Sequence, residues 1–424
     1  MSGPHSENGV EIDHGGPVDM VVDVPGSKSI ANRALVLAAL ADGESVLTNV
    51  PPGDDVEAMT TALRSLGLEV RGGGGSLAVA QALDLEQSGN IDLDARLAGT
   101  TSRFLIALAA LRSGHTTVIG EGRLRERPFG ELVDALRHLG ASVQGGPGLP
   151  ITASRGALRG GTVQMTGAVS SQFVSALMMI GPRLDGGLRI ELTGDVVSAS
   201  YVAMTASLMS RFGASVEFDG RTVRVTEGRY RAATIDVEPD ASSASYPAAL
   251  AAVAGGVVRI KRAATIALQS DRVIFDILGQ MGAEVRAAGD DMVIQKDPVQ
   301  ALHAIDVDLR DSSDLVPTVA ALAAVADGRT RIRGVGFVRN KESDRIGDLA
   351  AELRKFGIDV IEDADGLDVI GGSVGPAVID PHHDHRLAMA LALLGRIGAG
   401  TKLIDPTVVS KSWPGYLTDL GLVP

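Results

Sequence analysis

Leu66-Gly67-Leu68-Glu69-Val70 returns along the chain as Leu139-Gly140-Ala141-Ser142-Val143, Phe212-Gly213-Ala214-Ser215-Val216, Met281-Gly282-Ala283-Glu284-Val285 and Phe356-Gly357-Ile358-Asp359-Val360. The five glycines lie 73, 73, 69 and 75 residues apart, and a sixth phrase, Leu420-Gly421, follows 64 residues later. An apolar residue followed by Gly is how a helix ends, because Gly takes the left-handed backbone at little cost. After each full phrase the residues alternate around a turn, as in Gly213 to Val225, and so predict a β-hairpin.

Upstream, each copy opens on a polar residue and an Ala/Leu-rich helix, at Ser29, Thr101, Ser170, Ser242, Ser312 and Asp384. A short strand follows (Thr116 to Ile119, Arg189 to Leu192, Val257 to Ile260, Thr330 to Arg333), then a second, amphipathic helix. The last of these puts Ile346, Leu349, Ala350, Leu353 and Phe356 on one face. The chain therefore reads as six βαβαββ units, of which the sixth lacks its hairpin. The spare strand Val18 to Val24 is expected to complete the sixth unit, which puts both termini in one domain. Three units each then give domain 1, residues 1–25 plus 239–424, and domain 2, residues 26–238, with the active site in the cleft between them. Met1 to Val18 reads as a mostly loose tail without the apolar core of a signal peptide.

Composition narrows the function. The 424 residues carry a net charge of −13 and 3% aromatic residues, which disfavours nucleic acid as a partner. With no cysteine there is no disulfide, thiolate metal site or catalytic thiol. The 8 histidines show no paired metal-ligand spacing. Apolar runs such as Ala34 to Leu40 are far short of the ~20 residues that cross a bilayer, so no membrane contact and a cytoplasmic location are expected. An acidic protein that binds small anions must gather its basic groups in one place. Here they gather at the unit-opening helix starts, where backbone N–H groups and the helix dipole already favour anions: Lys28 and Arg33, Arg103, and His385-Arg386, with Arg125, Arg127, Lys341, Arg345 and Lys411 on other loops. Taken singly, each is as easily a solvated side chain or a cap; a shared place in a six-fold repeat makes that account unattractive for the set.

These segments also resemble, in order, the motif series of the EPSP synthases: Pro25 to Arg33, Ala98-Gly99-Thr100, Arg125-Glu126-Arg127-Pro128, Ser170-Ser171-Gln172, Asp240 to Tyr246, Lys341-Glu342-Ser343-Asp344-Arg345, Asp384-His385-Arg386 and Lys411. The resemblance covers the chain from about residue 20 onward. It implies an α/β fold of two inverse barrel-like domains, each of three βαβαββ repeats. It also implies transfer of the enolpyruvyl group of phosphoenolpyruvate to the 5-hydroxyl of shikimate 3-phosphate, by a monomer with no metal or organic cofactor. By the same resemblance Lys28, Gly99, Arg127, Gln172, Arg345, Arg386 and Lys411 hold phosphoenolpyruvate. Ser29, Arg33, Ser170, Ser171, Ser198, Tyr201 and Lys341 hold shikimate 3-phosphate, Asp314 and Glu342 are the acid/base pair, and Lys28 lies near the reacting atoms. Sensitivity to glyphosate, which competes with phosphoenolpyruvate in this family, is a further implication.

Three positions depart from the commoner family pattern: Leu97 and Phe337 where Asn is usual, and Phe104 where Pro is frequent. Asn340 or Arg339 stands as a substitute for the missing Asn at 337. Enolpyruvyl transfer to a UDP-sugar fits less well, since those enzymes commonly use a cysteine acid. RNA 3′-phosphate cyclases share the unit but need nucleotide motifs that are missing here. A paralogue acting on a modified shikimate and a non-catalytic anion-binding protein are the remaining alternatives; the latter has no need of Asp314 or Glu342.

Overall fold

The computed structural model describes residues 9–424, apart from Ala168, Val169 and Asp195. The chain divides into two units, residues 1–25 with 239–424, and residues 26–238. All six repeat glycines have positive φ: 88° at Gly67, 96° at Gly140, 85° at Gly213, 98° at Gly282, 84° at Gly357 and 59° at Gly421. At each, the N–H two residues past the last helical turn reaches back to a carbonyl five residues earlier, as Ala214 does to Met209 at 3.0 Å and Ile358 to Leu353 at 3.3 Å. This is the closing bond of a Schellman cap, so one local device ends the second helix of every repeat.

Among the described residues, five repeats carry an open four-stranded sheet with one plan: first and second strands parallel, then the hairpin antiparallel to the second. In the third repeat Gly161–Thr166 runs parallel to Leu188–Thr193, which pairs antiparallel with Thr222–Val225 and through it with Val216–Phe218. The first helix of each repeat is apolar nearly all round and therefore buried. In the unit that carries the termini, Ala241–Ala254, Val316–Ala324 and His385–Gly395 pack on one another. Small Ala side chains permit that close approach. The second helices are amphipathic, and Leu349, Leu353 and Phe356 turn the apolar face of Gly347–Lys355 into the core. Each such side chain contributes about 1.5–3 kcal/mol when fully buried.

The strand assignment differs from expectation at one place. Val18–Val22 does not complete the sixth repeat; it pairs parallel with Gly256–Ile260 in the fourth. Thr234–Asp236, the sequence neighbour of the fourth repeat's first helix, pairs instead with Ser45–Thr48 in the first. The physical reason is where the chain crosses between units, at Pro25/Gly26 and Glu238/Pro239, each time between a strand and its helix. Each unit keeps the strand the departing chain leaves behind, so the two units exchange first strands. The sixth sheet is closed by a shorter segment, Val10–Glu11, antiparallel to Lys402–Leu403, which itself pairs with Val378–Ile379. Residues 9–17 are thus no loose tail: Ile12 is buried, and its N–H donates to the Thr401 carbonyl at 2.9 Å. Residues 1–8 lie outside the described residues.

Polar residues open the first helices, but side chains cap only some of them. Ser170 accepts from the Gln172 N–H, Asp240 from Ser243 and Asp384 from Arg386. Lys28–Leu40 and Gly99–Ala109 have no side-chain cap, which leaves their first-turn N–H groups to other acceptors. Among the described residues no helix is long and apolar enough to cross a membrane.

Candidate active site

The basic residues flagged in the sequence fall into two sets, one on each unit. In residues 26–238, Lys28 pairs with the buried carboxylate of Asp55 at 3.0 Å. Arg33 is only 1% exposed. Its Nε donates to Thr205 at 2.7 Å, its Nη1 to the Ser29 carbonyl at 2.9 Å and its Nη2 to Ser175 at 3.2 Å. The rings of Phe104 and Tyr201 flank it at 5.3 and 5.6 Å. Burial pushes this guanidinium down to about 10, partly opposed by Tyr201, so it stays charged at neutral pH. The bonds to Thr205, Ser29 and Ser175 use three of the five guanidinium N–H groups and leave one on each of Nη1 and Nη2. Phe104, the departure from Pro, therefore supplies one wall of the Arg33 pocket.

Gly99 opens the second repeat's helix against two cations. A Cβ there would lie 2.6 Å from Arg127 Nη1 and 2.7 Å from Arg103 Nη1. Arg103, between the rings of Phe129 and Phe173, donates to the Gly99 carbonyl and to Gln172 Oε1, both at 2.8 Å. Gly99, Arg127 and Gln172 thus come together through Arg103. Ser171 is buried in the first turn of its helix. Ser198, also buried, caps the Tyr201-bearing helix Ala199–Arg211 from the left-handed region at φ 56°. Leu97, the first departure, is half exposed.

In the other unit Asp314, Glu342, Arg345, Arg386 and Lys411 form one network. Arg345, almost wholly buried, donates to Asp384 at 2.7 Å through Nε, to Asp314 at 2.7 Å through Nη1 and to Glu342 at 3.0 Å through Nη2. Arg386 Nη2 holds the other Asp314 oxygen at 2.7 Å, and Lys411 Nζ reaches Glu342 Oε1 at 3.3 Å. Asp384 is fully buried and also accepts from the Ser343 hydroxyl at 3.0 Å. Lys341 stands over the ring of Phe337 at 5.7 Å. Where Asn is usual, this chain offers Lys341 an aromatic face. Arg339 donates to Asp344 at 2.8 Å and to the Asp363 carbonyl at 2.8 Å.

The charges here are mutually dependent. Burial by itself would raise the Asp314 carboxyl, but Arg386, Arg345 and Lys341 reverse this and hold it well below the usual carboxylate range, against the opposing charge of Glu342. Burial would likewise lower Arg345; Asp384, Glu342 and Asp314 outweigh it and keep the guanidinium charged. Carboxylates interleaved with cations at hydrogen-bond range can pass protons while the cations hold an anion.

The family model for EPSP synthase (3-phosphoshikimate 1-carboxyvinyltransferase) matches residues 12–420. The chain belongs to the EPSP synthase family. It is 40% identical over 418 residues to the 3-phosphoshikimate 1-carboxyvinyltransferase of Trichormus variabilis, covering 95% of this chain and 96% of that one. The enzymes of that name from Methanopyrus kandleri and Methanothermobacter thermautotrophicus are 42% and 40% identical, over 413 and 415 residues; the first match covers 94% of each chain and the second 96% of each. A solved EPSP synthase from Acinetobacter baumannii superposes with a TM-score of 0.80 at 24% identity, over 98% of both chains, and that likeness speaks for the fold.

Set beside the EPSP synthase motifs, the sequence reading missed two carboxylates that hold the cations, Asp384 and Asp55. Asp384 lies inside a quoted motif yet reads locally as a cap, and Asp55 lies in no motif at all. Each is identified only by the cation it meets, 39 residues away for Arg345 and 27 for Lys28. Thr205 and Ser175, the hydroxyls behind Arg33, were missed for the same reason.

Proposed function

We propose that this chain is a 3-phosphoshikimate 1-carboxyvinyltransferase, which moves the enolpyruvyl group of phosphoenolpyruvate to the 5-hydroxyl of shikimate 3-phosphate and releases phosphate. The carrying observation is Asp314 shared between Arg345 and Arg386, with Glu342 shared between Arg345 and Lys411. In this reading the two half-sites act on one substrate pair. Lys28, Gly99, Arg127, Gln172, Arg345, Arg386 and Lys411 attend phosphoenolpyruvate, and Ser29, Arg33, Ser170, Ser171, Ser198, Tyr201 and Lys341 attend shikimate 3-phosphate.

The reaction is an addition followed by an elimination. The 5-hydroxyl oxygen attacks C2 of phosphoenolpyruvate while C3 gains a proton; the tetrahedral intermediate then loses that C3 proton and phosphate. Asp314 takes the hydroxyl proton. Between Arg345 and Arg386 it is a weak base, because the two guanidinium groups hold it ionised. Phosphoenolpyruvate drawing on the same two guanidinium groups raises its basicity as the anion arrives. Glu342 carries the C3 proton, with Lys28 as the alternative donor. The cations orient both anions and stabilise the departing phosphate. No cofactor enters this scheme, and the proposal includes a cytoplasmic monomer. Phosphate release should require both substrates together; release with neither order of mixing, from folded protein, would reject the reading. Light scattering of the purified chain tests the monomer.

Gly99 offers a sharper test. A methyl at this position meets Arg127 Nη1 at 2.6 Å and Arg103 Nη1 at 2.7 Å, so both guanidinium groups must shift; these are side-chain ends and not backbone, so Gly99→Ala should still fold. It should raise the glyphosate inhibition constant about tenfold or more, the loss of one charge-assisted hydrogen bond, and raise KM for phosphoenolpyruvate by less. Equal inhibition constants for the two proteins would end the steric argument.

A further inference from the structure

One buried acid next to this network has no part in the scheme above. Asp271 sits in the short turn Ser270–Val273 with 3% of its surface exposed. The Ser242 hydroxyl, in the first turn of Ala241–Ala254, hydrogen-bonds one of its carboxyl oxygens, while the other has no hydrogen-bond partner. The turn is pinned there: Gln269 accepts from the Ala241 N–H at 2.9 Å and donates to the Pro239 carbonyl at 2.8 Å. Four elements present polar or charged groups to Asp271 or close it off. The cap of Ala241–Ala254 brings Asp240 and Ser242, the turn Ser313–Leu315 brings Asp314, and His385–Gly395 brings Arg386. From Ile274–Gln280, the fourth, Asp276 points to solvent and the buried residues are apolar.

Asp271 lies within electrostatic range of both Asp314 and Arg386, so it is a second carboxylate that draws on the charge of one guanidinium. With Asp271 neutral, Arg386 gives its charge to Asp314 and to an incoming anion. With Asp271 ionised, the same charge is divided, and a buried anion opposes the arrival of another at Arg386. We propose that Asp271 is a positioning residue of the transfer, a buried neutral carboxyl beside the network whose ionisation divides the charge of Arg386 and weakens its hold on Asp314 and on the substrate anion. Burial first, and then the charge of Asp314, push its carboxyl up to about 7, with Arg386 and Ser242 opposing, so the neutral form is present in the working range. No bond to substrate is asked of Asp271; it acts through Arg386. This inference rests on the proposed activity.

The test compares Asp271→Asn with wild type, at saturating shikimate 3-phosphate, as kcat/KM for phosphoenolpyruvate from pH 5.5 to 9. Asn keeps the shape and is neutral throughout. The ratio of variant to wild type cancels every titration the two proteins share, including that of the substrate. It should climb by about fivefold or more through pH about 7. A ratio that is flat, or a variant uniformly slower at every pH as a purely structural residue would be, overturns the proposal. Should Asp271→Asn fail to fold, Ser242→Ala decides. Removing the hydroxyl that favours the ionised carboxylate moves the alkaline loss of wild-type activity to higher pH, and an unmoved profile counts against the proposal. Wild type that releases no phosphate sinks the activity itself and this role with it. With activity present, melting temperature against pH tests the neutral buried carboxyl independently. The folded-state carboxyl is raised above its unfolded value, so the wild type loses stability as pH rises through about 7. Asp271→Asn should escape that loss, and parallel melting curves would refute it.

Discussion

Glu342→Gln lowers kcat by ~10²-fold or more while the chain stays folded and binds shikimate 3-phosphate, as loss of a proton carrier would. The side chain is 18% exposed, between Arg345 at 3.0 Å and Lys411 at 3.3 Å. Gln keeps the shape and one acceptor oxygen but loses the charge and the exchangeable proton. The fold is spared because Arg345 retains Asp384 and Asp314. Steady-state rates with calorimetry of shikimate 3-phosphate binding check this. A kcat near normal transfers the C3 proton to Lys28, and a change in KM alone reduces Glu342 to a binding group.

Arg345→Met destabilises the unit by about 3–5 kcal/mol, the range for breaking a buried pair by removing one partner. Asp384 is fully buried, and the Ser343 hydroxyl and Arg386 N–H that remain to it are neutral donors. Activity falls as well, because Asp314 and Glu342 lose a shared cation. Adding Asp384→Asn separates the effects: the amide removes the stranded charge, so stability returns in large part while kcat stays low. Denaturant melts and rates on the single and double variants test this. If Arg345→Met melts like wild type, the network is not the structural centre assigned to it.

The strand exchange shows why part of the fold was out of reach of the sequence. All six glycines that end the repeats are legible one at a time, because a left-handed cap is decided within five residues of chain. Nothing local says which sheet a strand joins. Val18–Val22 and Thr234–Asp236 are alike in being short, alternating strands ahead of an Ala-rich helix. Their exchange follows from where the chain crosses between units, a property of the connection and not of either strand.

In the site, Lys28, Arg33, Arg103 and Arg386 were legible as cations near the repeat's helix starts, while Arg127, Lys341, Arg345, Lys411 and the pair Asp314 and Glu342 were singled out by the motifs they share with the family. Their partners were not. Whether Lys28 is a solvated lysine or the partner of Asp55, and whether Asp384 is a cap or the counter-ion of Arg345, depends on side chains brought together from distant segments. The sequence by itself determined the repeat, the helix ends, the division of the chain and the family. The tertiary structure decided which carboxylate each cation holds, that Phe104 and Tyr201 wall in Arg33, and that Asp271 is buried within electrostatic range of Arg386. Caps and periodicity are short-range and written in neighbouring residues, whereas the charge of a buried group is set by whatever the fold packs against it.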